Sequence, residues 1–149
     1  STNTELKNIR DSYRYILGKL ANVIYQEHNI SLEIRGISDL VYMDKKIGGN
    51  AQRRNSRVLL HHGTILYDVN YELMETTLKI PIDQPVYRMN RQHRDFVGII
   101  PVAREQIIKS IIKAFTDNPN FSNITDDEVV GIQKLANEKY SKDEWNFRR

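Results

Sequence analysis

Cysteine is absent from all 149 residues. That excludes disulfides, thiolate metal sites and a cysteine nucleophile supplied by this chain, and it fits a reducing compartment. No apolar run approaches the roughly 18 residues of a membrane span. The start, Ser1-Thr2-Asn3-Thr4-Glu5, is polar and lacks the basic residues and apolar run of a signal peptide. Ser1 fits either a removed methionine or a cut in a longer chain. No Gly-x-Ser-x-Gly elbow occurs, which argues against a serine triad. Gly48-Gly49 has no third glycine at the spacing of a Walker loop or dinucleotide fingerprint. No Cys or His spacing completes a zinc site, and the reading is of no bound metal ligand set. Repeats and low-complexity segments are absent too.

What is present is ordinary for a single domain with its own core: 40% hydrophobic and 28% charged residues. The net charge of +3 permits an acidic partner, a phosphate ligand or nucleic acid, and selects none of them. Leu6, Ile9, Tyr13, Ile16, Leu17, Leu20 and Ile24 recur at helical spacing and predict a helix over about 4–28, stopped by Asn29. Two short strands follow, over 31–35 and 38–42, broken at Gly36. Asp44-Lys45 reads as a tight turn, making 38–52 a hairpin. Val58 to Tyr67 is the most apolar strand, without clean alternation, as if buried on both faces. Asn70 caps a short helix to about Lys79, with Leu73, Met74 and Leu78 inward. Pro81 and Pro85 force an irregular stretch to about Pro101, long enough to suggest function or an interface. Ile107, Ile108, Ile111, Ile112 and Phe115 make a helix over about 103–116. Thr125-Asp126-Asp127-Glu128 opens a last helix as a capping box, using Val129, Ile132, Leu135 and Ala136 to near Tyr140. Trp145 and Phe147 are expected to anchor the tail.

The most informative stretch is Lys45-Lys46-Ile47-Gly48-Gly49-Asn50-Ala51-Gln52-Arg53-Arg54. As an alternating strand it puts Ile47, Gly49 and Ala51 on one face and Lys46, Gly48 and Asn50 on the other. Glycine inside a strand often marks close approach of a ligand or another backbone. Two glycines beside a lysine suggest a strand under an anion, and the plain alternative is a lysine-rich hairpin ending in a glycine bulge. His61 reads as a hydrogen-bonded core histidine. His62 shares a face with Thr64 and is a pocket-lining candidate. Arg53, Arg54 and Arg57 could touch nucleic acid, but the small charge excess and lack of interleaved aromatics argue against it.

The order Ser38-Asp39-Leu40, then Lys45 through Arg54, then Leu60-His61-His62-Gly63-Thr64-Ile65-Leu66 resembles the lipoate–protein ligase A family, within the biotin/lipoate ligases. Gln84-Pro85-Val86-Tyr87-Arg88, Arg91-Gln92-His93 and the closing Lys139-Tyr140 with Glu144-Trp145-Asn146 are similar as well, so the likeness runs from about residue 10 onward. It implies an α+β fold, a mixed or antiparallel sheet with packed helices like the class II synthetase core. It implies a cytoplasmic enzyme that activates lipoate with ATP and Mg2+ to lipoyl-adenylate. The lipoyl group then goes to a lysine of an acceptor, either a lipoyl domain or a glycine-cleavage H-type protein. By position, Lys46 matches the family's essential lysine, toward the acyl carbonyl and adenylate phosphate. Asp39 matches the acidic position near the nucleotide. Gly48, Gly49, Asn50 and Ala51 line the nucleotide side, and His62, Gly63 and Thr64 sit beneath it.

Two departures shape the expectation. The family's Arg-Arg-x-x-Gly-Gly-Gly segment, which belongs before the first helix, is missing; Arg53-Arg54 is followed by Asn-Ser-Arg. The small accessory domain is missing as well. The chain is therefore read as the second half of a catalytic domain over 1–149, in a split or cleaved ligase: either a separate chain supplies the first half, in a heterodimer, or the polypeptide was cut in a loop. The sister octanoyl or lipoyl transferases use a cysteine before the hairpin, where this chain has Arg35-Gly36-Ile37-Ser38. ATP-dependent ligation is thus expected over thioester transfer. A transferase subunit and a non-catalytic lipoate-binding subunit stand as alternatives. Arg53, Arg54, Arg88 and Arg91 are expected to steer an acidic acceptor.

Overall fold

The computed structural model describes residues 4–148; Ser1 to Asn3, part of the leader reading, lie outside the described residues. The chain divides into two units, Ser1–Asp117 and Asn118–Arg149.

In the first unit, helix α1 runs Ile9–His28. It starts later than the periodicity alone predicts because Asn8 caps it, its side chain accepting from the Asp11 N–H. Thr4–Leu6 is a separate 3-10 turn. Asn29 stops the helix in the left-handed region, φ 55°, as expected. Tyr13, Leu17, Leu20 and Ile24 form its buried face.

Four antiparallel strands follow in spatial order β1 (Glu33–Arg35), β2 (Asp39–Tyr42), β3 (Lys45–Arg54) and β4 (Leu59–Ile65). Gly36 turns between β1 and β2 at φ +61°, where a Cβ would be strained. The β2–β3 turn is Met43-Asp44, at φ 47° and 62°, one residue earlier than expected, since Lys45 already pairs with Tyr42. This is the left-handed pair that a two-residue hairpin requires.

Leu40 and Ile47 are fully buried against Leu17, Ile24, Ile100 and Ile107, where helix α4 (Arg104–Phe115) lies beside α1. Truncating Leu40 to Ala there costs about 2–5 kcal/mol. Strand β4 is not buried on both faces: none of its residues is buried, and Leu60 is 58% exposed. Its apolar composition sits on the outer strand of the sheet among the described residues, so nothing covers one side of it.

Helix α2 (Tyr71–Thr77) has the expected Asn70 cap but no buried residue, and Leu73 and Leu78 face outward. It is too short and too polar-flanked to press a stripe onto the sheet. The proline-rich stretch is more ordered than its sequence suggests. A 3-10 turn, Val86–Arg88, and a one-turn helix α3 (His93–Phe96) lead to Val97, which pairs with Lys46 as a parallel bridge.

In the second unit, α5 (Asp126–Leu135) carries the expected capping box: Thr125 accepts from the Glu128 N–H and Glu128 accepts from the Thr125 N–H. A π-turn (Ala136–Tyr140) and α6 (Asp143–Asn146) follow. Neither α5 nor α6 has a buried residue, contrary to the packing expected of Val129, Ile132 and Leu135. Trp145 is held by the Tyr140 edge at 5.3 Å and by Lys139 over its face at 4.2 Å. Phe147 is exposed rather than an anchor.

Candidate active site

Strict alternation fails in β3 at one residue. Val41 pairs with Lys46 and Leu40 with Gly48, so Ile47 is an extra residue, a β-bulge. The bulge turns Ile47 into the core and changes which positions share a face. Asp39 pairs with Gly49, so Lys46 and Gly49 lie on the same side of the sheet, away from the helices, and not on opposite sides as period two predicts. Ala51, His62 and Thr64 share that outer face through the β3–β4 register; Gly48, Asn50 and Gly63 fall on the helix side.

On the outer face, Lys46 Nζ lies 2.7 Å from Asp39 Oδ1. The ammonium rests over Gly49, where a Cβ would stand only 3.3 Å from Lys46 Cε and Nζ. The second carboxylate oxygen, Oδ2, accepts the Tyr87 hydroxyl at 2.8 Å. Asp39 is nearly covered, its side chain 13% exposed against 31% for Lys46. Burial, and then the bond to Asp39, pushes the Tyr87 hydroxyl far above the usual phenol range, so it stays a donor.

The glycines have separate reasons. A Cβ on Gly48 would meet the Thr64 carbonyl oxygen at 2.5 Å, so β4 closes on β3 at this position only because the residue is glycine. A Cβ on Gly63 would fall 1.9 Å from Asn50 Oδ1. The Asn50 amide occupies that space and donates to the Ser38 carbonyl at 2.7 Å, tying β3 to the entry of β2. Asn50 thus has a bracing bond of its own.

A depression of about 420 Å³ is lined by Ser38, Asp39, Lys46, Gly49, Asn50, Ala51, His62, Gly63 and Thr64. Eight of the nine residues singled out in the sequence line it, and Gly48 lies beneath. His61 faces the helices instead, with Gln52 Nε2 donating to its Nδ1 at 3.2 Å and the Tyr13 ring edge-on at 5.6 Å. Burial, then the neighbouring His62, lowers its pKa.

The chemistry this arrangement supports is charge stabilisation: a held cation beside an open glycine floor suits an anionic phosphate or a developing oxyanion. A protein-built metal cage does not fit. Among the described residues Asp39 is the only carboxylate lining the depression, and both its oxygens are engaged. No group of three metal-ligating side chains occurs among the described residues.

The basic set expected to steer an acceptor is mostly committed internally. Arg54 donates to Ser12 Oγ at 2.8 Å and to the Leu6 carbonyl. Arg88 is 4% exposed, bonded to the Arg91 carbonyl and stacked 4.7 Å over Phe96. Arg91 holds Asp44 at 2.9 Å. Arg53 is the exposed member. Counting charges along a sequence does not reveal such bonds. Tyr87 was passed over for the converse reason: it lies in an irregular stretch with no period to show where it points.

Comparison with known proteins places these features. The family model for the lipoyl protein ligase A/B catalytic domain matches residues 2–116. Octanoyltransferase LipM of Brevibacillus brevis is 31% identical over 121 residues, 74% of this chain and 44% of that protein. The chain thus spans less than half the length of that curated relative. Among solved structures, a bi-partite lipoate protein ligase from Thermoplasma acidophilum superposes with TM-score 0.76 at 21% identity, over 93% of this chain and 58% of that one. Lipoate-protein ligase A bound with ATP superposes with TM-score 0.75 at 20% identity, over 93% and 59%. The α+β arrangement of a four-strand antiparallel sheet and packed helices is therefore the ligase fold. No described helix is long and apolar enough to cross a membrane.

Proposed function

The chain belongs to the lipoyl protein ligase A/B catalytic domain family, and from that premise we propose that it serves ATP-dependent attachment of lipoate to a lysine of an acceptor protein, through a lipoyl-adenylate. The observation that carries this reading is the Lys46 ammonium held by Asp39 above a side-chain-free floor, in a chain without cysteine. Adenylation of a carboxylate and aminolysis of the adenylate both build negative charge on phosphate and carbonyl oxygens. A cation already oriented at that place lowers both barriers. ATP would lie along Gly49, Ala51 and Thr64, with Lys46 toward its phosphates and the acyl carbonyl. Mg2+ would enter with those phosphates, not in a protein cage. The acceptor is a lipoyl domain or a glycine-cleavage H-type protein, met in the cytoplasm.

We further propose that the working enzyme is completed by polypeptide carrying Arg-Arg-x-x-Gly-Gly-Gly, in a second chain. The exposed outer strand β4 supports this. Native mass measured before and after denaturation tests it: a co-purifying chain of comparable size supports a two-chain ligase, and a lone 17.5 kDa particle counts against one.

The likeness to LipM favours a second reading, octanoyl transfer from a thioester, with the nucleophile supplied outside this chain. The purified assembly, given lipoate, ATP and a lipoyl domain, should release pyrophosphate and lipoylate the domain. Acylation from an octanoyl thioester without ATP would move the assignment to transfer; ligand binding without turnover would make the chain a binding subunit. Lys46→Ala should cost roughly a hundredfold or more in adenylate formation, typical of a lost charge-stabilising donor, with the fold retained. Near-normal adenylation by this variant would sink the ligase reading.

A further inference from the structure

We propose that Tyr87 is a positioning residue: its hydroxyl fixes the Asp39 carboxylate and, through it, the Lys46 ammonium over Gly49. The catalytic meaning of this inference rests on the ligase reading; the positioning itself does not.

Asp39 Oδ1 faces Lys46 Nζ at 2.7 Å, and Oδ2 accepts from Tyr87 at 2.8 Å. One donor would leave the carboxylate able to swing about its side-chain torsions. Two donors on different oxygens fix both its position and its rotation. Tyr87 is itself held on several sides. Its ring packs against Phe96 at 5.2 Å, and its carbonyl accepts from Arg91 Nη2 at 2.9 Å. Arg91 in turn bonds Asp44 across the β2–β3 turn, and the Arg35 guanidinium lies 5.7 Å over the Tyr87 ring. Ring packing alone needs only phenylalanine. The hydroxyl adds a bond to the one carboxylate that holds the lysine, and burial keeps that hydroxyl protonated.

Lys45 supplies an internal control. Its Nζ donates to the Arg94 carbonyl at 3.0 Å, so it reports whether the 86–97 segment stays docked. Trace acetylation with acetic anhydride, read by tandem mass spectrometry, separates Lys45 from Lys46. Acylation needs an amine free to turn toward the reagent, and the ion pair with a fixed Asp39 ties the Lys46 amine down. Tyr87→Phe should raise Lys46 acetylation about tenfold, the scale of one lost hydrogen bond to a charged group, with Lys45 unchanged. Asp39→Asn should raise it at least as much, and the double variant should add nothing to Asp39→Asn. The proposal is overturned if Tyr87→Phe leaves Lys46 at the wild-type rate. It is overturned equally if Lys45 rises with Lys46, since undocking of the 86–97 segment and not release of Asp39 would then be responsible. In the complete enzyme, Tyr87→Phe should lower kcat with KM little changed; an unchanged kcat removes the catalytic meaning. Labelling is independent of lipoate chemistry, so failure of the ligase reading and failure of the positioning claim are distinguishable.

Discussion

Gly48 and Gly49 are neighbours in the sequence and serve opposite neighbours in space. The missing side chain of Gly48 lets β4 approach on the helix side of the sheet; that of Gly49 leaves room for the Lys46 ammonium on the outer side. Around Gly49 the polar groups are paired and covered, with Asp39 between Lys46 and Tyr87. Toward β4 the surface is open, with His62 and Thr64 exposed beside it. One part of the depression is thus preset and the other awaits what fills it. Preset charge is what catalysis needs before substrate arrives, because it needs no reorganisation during reaction.

Alanine at each glycine should separate the two roles. Gly48→Ala drives a methyl group into a backbone oxygen, which side-chain motion cannot relieve. It should cost about 1–3 kcal/mol of stability, seen as a lower denaturant midpoint; an unchanged midpoint would mean that the strands part without penalty. Gly49→Ala presses on the movable end of Lys46 instead. It should lower adenylation about tenfold by displacing the ammonium and leave the midpoint nearly unchanged. Equal losses of stability in the two variants would erase the distinction.

The smallest effect concerns His61, on the helix side of β4. Its depressed pKa means that the unfolded chain binds the proton more readily. Its contribution is therefore whole above the unfolded value near 6.5 and is lost as pH falls through that value toward the folded pKa. The ring is only partly buried, so screening keeps the effect modest. His61→Gln should flatten the fall in melting temperature between pH 7.5 and about 5; an identical slope in the variant would assign that fall to other groups.

Local rules were legible where the cause is local. Asn29 was placed as a left-handed stop, Gly36 as a break between strands, and the Thr125–Glu128 box by its spacing. The candidate site was legible as a set of residues, because Lys46, the glycines and the His62-Gly63-Thr64 run lie on adjacent strands. Its facing was not, since a single bulge at Ile47 reverses the parity of everything after it. The apolar run of β4 reads as a core strand, because sequence pattern measures composition and not position within the sheet. Arg54 and Arg91 read as surface charge because partners of theirs lie far away in the chain, as with Arg91 and Asp44, 47 residues apart; Arg88 is covered by near neighbours, in a stretch with no period to show it.

The strands lie in the sheet in the order in which they occur in the chain. Their pairings close short loops, and hairpins of this kind form on the microsecond scale. The Tyr87–Asp39 bond instead closes 48 residues, at a higher entropic cost. Sheet, turn and the Lys46–Asp39 pair therefore require only local chain closure, whereas the clamp on Asp39 waits for a distant segment to return. The clamp on Asp39 is the least local part of the depression, so partial opening of the chain would release it while the sheet still stands.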